Sequence, residues 1–372
     1  MVNKIFKIIK NETVLSVATV IAVISAFFIK PDIKYVSYID FRTLSLLFCL
    51  MAVMAGFQKT HIFKIMAQSL LKRIHSLRGL LFILIMLCFF FSMLVTNDVA
   101  LITFVPFAFV ILDMTEAEDR LLIKTVVMQT VAANLGSMLT PIGNPQNLYL
   151  HGISKMGVGE FLALMLPYTA VSFLLLSLWI VLRNKNTDIK IKFDNAQHIT
   201  QKPKVVIYAI LFLLCLATVG HMLDYRITLT VVIMVMAITD YKIFKSVDYT
   251  LLLTFIAFFI FIGNMGRVHM FSSYLNSVIE GHECITGILS SQLISNVPAA
   301  LLLSGFTDNL KPLIVGVNLG GLGTLIASMA SLISFKFVAK ENKSLRGKYL
   351  LYFSIVNIVF LVVLTGLYLA IG

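Results

Sequence analysis

Hydrophobic residues in this chain gather into runs at 13–29, 42–57, 79–95, 99–112, 121–150, 160–182, 204–221, 227–239, 249–265, 285–305, 312–335 and 350–371. A helix needs about 20 apolar residues to cross the hydrocarbon core of a bilayer. The pattern therefore predicts an all-α integral membrane protein, with some runs too short to cross and others long but broken. The stretch 79–112 is broken at Thr96-Asn97-Asp98, and 285–305 at Ser295-Asn296-Val297-Pro298. Polar backbone survives at membrane depth only where protein or a water-filled cavity satisfies it. Each of these two stretches is expected to form a re-entrant hairpin, two half-depth helices with a polar tip inside the membrane. The runs 121–150 and 312–335 read as discontinuous spans.

Composition agrees. The chain of 372 residues is 59% hydrophobic and 13% charged, with a mean hydropathy of +0.94. That excludes an ordinary soluble enzyme and any disordered class. A net charge of +12 would suggest nucleic acid in a soluble protein. Here its expected cause is the excess of Lys and Arg in cytoplasmic loops, so the partner is the lipid bilayer and no nucleic acid. If both hairpins return to their own side and the N-terminus is cytoplasmic, inner segments carry twenty-three Lys and Arg and outer segments seven. Treating either hairpin as a crossing reverses every later loop and spoils that ratio. The expectation is a multi-pass protein of the cell membrane. Lys4, Lys7 and Lys10 before the run 13–29 imitate a signal peptide but lack a small-x-small cleavage site, so that run is expected to be a retained first span. The four cysteines show no C-x-x-C spacing, and no disulfide framework or zinc site follows from them.

The same topology exposes a repeat. From residue 13 the order is span, span, amphipathic segment, hairpin, interrupted span, span; from 227 it recurs, starting on the other side of the membrane. The expected organisation is a first repeat 1–183, a loop and linking span 184–224, and an inverted second repeat 225–372. Ala133-Asn134-Leu135-Gly136-Ser137 is echoed by Val317-Asn318-Leu319-Gly320-Gly321. Inverted repeats with discontinuous helices mark secondary transporters that bind at the midplane. Residues 60–78 place Phe63, Met66, Leu70, Ile74 and Leu77 on one helical face, and 267–281 place Val268, Phe271, Leu275 and Val278 likewise. Each suits a helix lying in the interface, although an ordinary solvated loop helix is an alternative for the second.

Of the eighteen acids, Asp98 alone sits deep within an apolar stretch. A carboxylate there is costly and by default functional; it binds a cation, carries a proton, or is a protonated tip residue. No Lys or Arg lies equally deep to pair with it. Asn97 and Asn296 occupy equivalent tips, where an amide carbonyl and unpaired backbone carbonyls suit a small cation; helix capping is a compatible role. Asn97, Asp98 and Asn296 are thus the candidate Na⁺ ligands. Pro298 starts the second half-helix. Between Asn134 and Asn147, two glycines (Gly136, Gly143) and two prolines (Pro141, Pro145) forbid a regular helix. The break exposes N–H groups that favour an anion and carbonyls that favour a cation. Ser137, Thr140, Asn144 and Asn147 join the candidates on this side. Asn318, Gly320, Gly321 and Thr324 join Ser295 and Asn296 on the other, with close helix packing as the alternative for Gly316-x-x-x-Gly320.

No phosphate-binding loop is present, so no ATP-driven engine resides on this chain. His151, His221, His269 and His282 lie near span ends, and Trp179 reads as an interface anchor. Neither a nucleophile–base pair nor a metal cluster appears, which argues against an enzyme. Thr96 to Ala100, Asn134 to Asn147, Ser295 to Pro298 and Asn318 to Thr324 together resemble the ion transporter superfamily. That group takes in citrate-transporter-like proteins, divalent anion:sodium symporters, arsenical-pump membrane subunits and sodium/proton antiporters of the NhaD kind. The resemblance implies an elevator-type carrier, commonly a homodimer, with both hairpins in a mobile domain. Its symporters carry Ser-Asn-Thr at both tips; here the tips read Thr-Asn-Asp and Ser-Asn-Val, and Asn-Asp-x-Ala is more like the arsenical and antiporter branches. The expected function is transport of a small anion coupled to Na⁺ or H⁺, without other cofactor. A sodium/proton antiporter and a channel are the rivals.

Overall fold

The computed structural model describes residues 12–72, 74–114, 118–183, 187–189 and 201–371. Lys4, Lys7, Lys10 and most of the loop 184–203 lie outside these residues. The helices follow the apolar runs. Helices α1 (Thr13–Phe28), α2 (Lys34–Tyr38), α3 (Phe41–Lys59) and α4 (Ile62–Leu71) lead into α5 (Leu77–Ser92) and α6 (Asn97–Asp113). Next come α7 (Asp119–Ser137), an irregular break, α8 (Pro145–Ser154), α9 (Val158–Arg183) and α10 (Lys202–Val219). The rest of the chain forms α11 (Tyr225–Asp240), α12 (Tyr249–Gly266), α13 (His269–Ile279), α14 (Glu283–Ile294) and α15 (Asn296–Ser304). It ends with α16 (Leu310–Leu319), a second break, α17 (Met329–Glu341) and α18 (Arg346–Ile371). Among the described residues strand pairing is limited to one bridge, Ser76 with Asp188.

Among the described residues, six segments can cross a membrane by length and composition: Phe41–Lys59, Val158–Arg183, Lys202–Val219, Tyr225–Ser246, Tyr249–Gly266 and Lys343–Ile371. Their outer faces are apolar. Leu178, Leu182, Leu213, Val362 and Leu369 are each more than half exposed, a display that water-soluble proteins avoid and lipid accepts. The chain is an all-α membrane protein.

Three expectations change in detail. The interfacial helix predicted over 60–78 stops at Leu71, because the Ser76 side chain accepts from the Gly79 N–H and starts a new helix at Leu77. Ile74 and Leu77 therefore do not share its face. Val268 caps α13 rather than lying on it. The arms of the first hairpin are 16 and 17 residues long, about 24 Å at 1.5 Å per residue, well over half-depth. Their apolar runs are long enough to extend both helices, and α6 continues through Pro106. The second hairpin is shorter, with arms of 12 and 9 residues.

Close packing holds each hairpin to a broken span: α5 lies along α7 and α14 along α16. Glycine permits the approach. A Cβ on Gly136 would collide with the Phe89 carbonyl, and one on Gly316 with the Cys284 carbonyl, so the packing role read for Gly316 is present in the fold. The expected consequence is that Gly136→Ala lowers thermal stability by about 1–3 kcal/mol, the usual range for overpacking. Gly159→Ala, at a position with nothing within 4 Å, should leave it nearly unchanged. Thermal unfolding of the purified variants in one detergent checks both.

Candidate functional site

The tip of each hairpin docks on a break. Asn97, the first residue of α6, donates its backbone N–H to Gly143 O at 3.1 Å; Asn296, the first residue of α15, donates to Ala327 O at 2.9 Å. The Thr140 hydroxyl donates to Met93 O, and the Thr324 hydroxyl to Gln292 O at 3.1 Å. In each pair the two contacts keep the same spacing along the chain. The tips differ in strain. Ser295 sits at φ +74°, a left-handed region that residues other than glycine rarely adopt and that concentrates at functional sites.

Beneath the tips, the two breaks are tied crosswise. Asn144, which caps α8 by accepting from the Asn147 N–H, donates through Nδ2 to Asn318 Oδ1 at 3.1 Å. Ser328, which precedes α17, donates to Asn134 Oδ1 at 2.9 Å. Asn318 Nδ2 donates to Asn147 Oδ1 at 2.6 Å, and Asn134 Nδ2 to Ser331 Oγ at 3.4 Å. Each break thus lends its second half-helix to the asparagine of the other break's first half-helix. All of these side chains are buried. Asn97 joins them by donating from Nδ2 to Asn134 Oδ1 at 3.1 Å. Pairing of this kind is what buried amides require at membrane depth.

This network brings helix starts together. A cavity of about 20 Å³ is lined by the first residues of α6 (Asn97, Asp98), α8 (Pro145, Gln146), α15 (Asn296, Val297) and α17 (Met329), with Ser328. Asp248, the N-cap of α12, and Leu251 complete the lining. That volume holds one water-sized occupant, for which about 10–15 Å³ suffices. Cavities of about 230 and 260 Å³ adjoin it; the first reaches Thr96, Asp98 and Asn144, the second Ser295, Val297 and Pro298, and Asp248 borders both. Oδ1 of Asp98 is buried without a hydrogen-bond partner, while Asp248 accepts from the Leu251 N–H at 3.0 Å. Five helix N-termini, each worth up to about half a positive charge, therefore surround two carboxylates.

Of the residues singled out from the sequence, Thr96, Asn97, Asp98, Asn144, Pro145, Ser295, Asn296 and Pro298 border these cavities. Asn134, Ser137, Asn147 and Asn318 form the layer beneath, where Asn147 Nδ2 donates to the carbonyls of Ser137, Met138 and Thr140. Gly136 and Gly320 lie where a side chain would strike Ser92 and Ser291, and Gly143 where it would strike the Ser137 carbonyl. Gly321 gives its carbonyl to Asn134, and Pro141 helps end α7. Thr140 and Thr324 are spent on the hairpin carbonyls and do not line the cavities. Two residues were missed. Asp248 looked like a loop acid at a span end. Gln292 donates from Nε2 to the carbonyls of Gly320 and Leu322, both at 2.9 Å, and its signal was an amide inside an apolar run.

Residues 5–311 match the citrate transporter family. The chain belongs to that family. It is 36% identical over 329 residues to an uncharacterized transporter of Methanocaldococcus jannaschii, covering 88% of this chain and 89% of that protein. It is 29% identical to inner membrane protein YbiR of Escherichia coli across 80% of each chain. A shorter match, 34% over 140 residues, joins 37% of this chain to 28% of the silicon efflux transporter LSI3 of Oryza sativa. The chain is thus a multi-pass membrane transporter and not an enzyme.

The crosswise network makes a quantitative expectation. Asn318→Ala removes partners from buried Asn144 and Asn147, and each orphaned group costs about 1–3 kcal/mol. Ser331→Ala removes only the 3.4 Å contact and should cost less than half as much. Thermal unfolding of the two variants, compared with the parent, checks the ranking.

Proposed function

We propose that the chain is a secondary active carrier of a small anion, a carboxylate such as citrate or an inorganic oxyanion such as arsenite, coupled to Na⁺ or H⁺. The supporting observation is the convergence of five helix N-termini on two carboxylates around a cavity of one water's size. With both carboxylates ionised, the dipole ends and the two negative charges roughly cancel. A proton or Na⁺ held by Asp98 and Asp248, with the Asn296 carbonyl as a further oxygen donor, leaves a positive surplus. An anion in the adjoining cavities then meets favourable helix ends. Each ligand thereby improves the site for the other, and linkage makes the effect reciprocal.

On this reading the segments 1–183 and 225–372 are inverted repeats joined by 184–224. The equally spaced contacts of the two hairpins and breaks support it. The hairpins move as an elevator against the remaining spans, in a homodimer set in the cell membrane with its N-terminus in the cytoplasm. Family membership supports a citrate-class substrate; the rice relative's name supports a small inorganic one. A sodium/proton antiporter is the second reading, favoured by a cavity that admits nothing larger than a cation or water and has no Lys or Arg among the described residues of its lining, Lys336 lining only the adjoining cavity of about 260 Å³.

Two experiments test these proposals. In proteoliposomes, Asp98→Asn should abolish gradient-driven anion accumulation while the protein still elutes as a single species. Asp248→Asn should raise the half-saturating coupling-cation concentration about tenfold, the equivalent of ~1.4 kcal/mol. Na⁺ and pH gradients are imposed separately; if no anion moves under either, yet sodium entry drives protons out, the antiporter replaces the carrier. For orientation, Lys155→Cys should label from outside and a cysteine in 184–203 only from the cytoplasm. The four native cysteines are buried, so background is low. Labelling of both from one face overturns the inverted repeat.

A further inference from the structure

Away from the hairpin tips, a groove of about 670 Å³ opens between α7, α9 and α18. Its mouth carries Arg120 and Lys124 from the first turns of α7, Arg183 at the end of α9 and Lys348 near the start of α18. Lys124 lies within Coulombic reach of both Arg120 and Arg183, with Glu118 as a nearby acid. Among the described residues Asp119 is the acid in the lining; with Glu118 counted beside it, basic charge is in excess by two. The ion pairs among the described residues join Lys59 to Asp240, Arg267 to Asp32 and Lys311 to Glu160, and use none of these four. The N-termini of α7 and α18 add partial positive charge at the same level, which the C-terminus of α9 at Arg183 offsets in part.

Below the charges the groove changes character within a turn or two. Trp179 and Tyr352 line this level of the groove together, near Arg183 and Arg120. Amphipathic rings at this depth mark the headgroup level of a bilayer. Deeper still, Ile355, Val356, Val359 and Phe360 form an apolar wall. A soluble anion would use the charges and leave that wall empty. An acidic peptide would have to place its backbone against apolar side chains at membrane depth, where its N–H and C=O groups would go unpaired.

We propose that this groove binds an anionic glycerophospholipid, its phosphate among Arg120, Lys124, Arg183 and Lys348 and an acyl chain against α18. Basic pockets between spans on the cytoplasmic side are suited to such headgroups, and the charge count places all four of these cations on that side. The site is separate from the cavities at Asp98 and does not depend on which ion or anion the carrier moves.

Trp179 is the chain's single tryptophan and lines the groove, so its fluorescence reports on this place alone. The full-length protein is reconstituted in phosphatidylcholine vesicles containing a minor fraction of dibrominated phosphatidylglycerol or, separately, the same fraction of dibrominated phosphatidylcholine. Bromine quenches tryptophan on contact. The expected result is stronger quenching by the phosphatidylglycerol at equal mole fraction. Lys124→Gln and Arg183→Gln should each weaken that preference about fivefold, in line with the value of one basic residue at an anionic surface. The charge-preserving Lys124→Arg and Arg183→Lys should retain it, which separates lost charge from lost folding. Equal quenching by the two lipids overturns the proposal, as does a preference that both Gln variants keep. Protection from both lipids shows the groove covered by protein, such as a second copy. Displacement of the quenching lipid by glycerol phosphate shows a site for free anions. Either result also overturns it.

Discussion

A backbone N–H or C=O shielded from water must find its partner inside the protein, and this chain interrupts its helices in four places. Everything else about its centre follows from closing that account. Asn97 and Asn296 give their backbone N–H groups to carbonyls in the two breaks. Asn134 and Asn318 then receive donors from the opposite break, Ser328 and Asn144 respectively. Without the crosswise pairing, four buried amides and several helix ends would be left in a medium of low dielectric, where an unpaired polar group is most expensive. The glycines serve the same end. Gly136 and Gly316 let hairpin and broken helix touch closely enough for these bonds to form.

The same constraint produces an electrostatic result. Helices that are interrupted must also start again, and each new start presents positive partial charge. Bringing four such starts to one place, with that of α12 beside them, makes a pocket that tolerates carboxylates far better than hydrocarbon does. Asp98 is in the first turn of α6 and Asp248 caps α12, so both acids stand where helix dipoles favour negative charge. On the proposed function an ion site and an anion site would then be physically linked, because the occupant of one alters the field felt in the other. That linkage is the basis of the proposed carrier mechanism in this member of the citrate transporter family.

The periphery obeys a different rule. Its helices are long and unbroken, and their exposed faces carry Leu, Ile and Val toward lipid. Polar contacts there sit at the ends. Lys59 pairs with Asp240 at 2.9 Å, and Arg267 with Asp32 at 3.0 Å; both pairs are partly exposed and contribute little to stability. Arg120, Lys124, Arg183 and Lys348 are set apart by gathering, without such a pair among the described residues, at a groove whose interior is apolar.

The all-helical membrane class, the helix positions, the two hairpins and the two breaks were legible in sequence because bilayer thickness and backbone pairing act on local composition. Thr96-Asn97-Asp98 or Pro141 to Pro145 cannot be ordinary span, whatever surrounds them. The resemblance in those motifs also led to the right family. Helix ends were less legible: α4 ends at Leu71 and the cap at Ser76 starts α5 anew, and long apolar runs let α5 and α6 grow beyond half the length of a span. Which side chains face the cavity was decided only by tertiary structure. Thr140 and Thr324, candidates by sequence, hold hairpin carbonyls, while Asp248 looked like a loop acid and stands beside Asp98's cavity. The reason is physical. A polar residue in an apolar run announces that it needs a partner, but the partner is supplied by a segment far away in the chain, and only folding brings the two together.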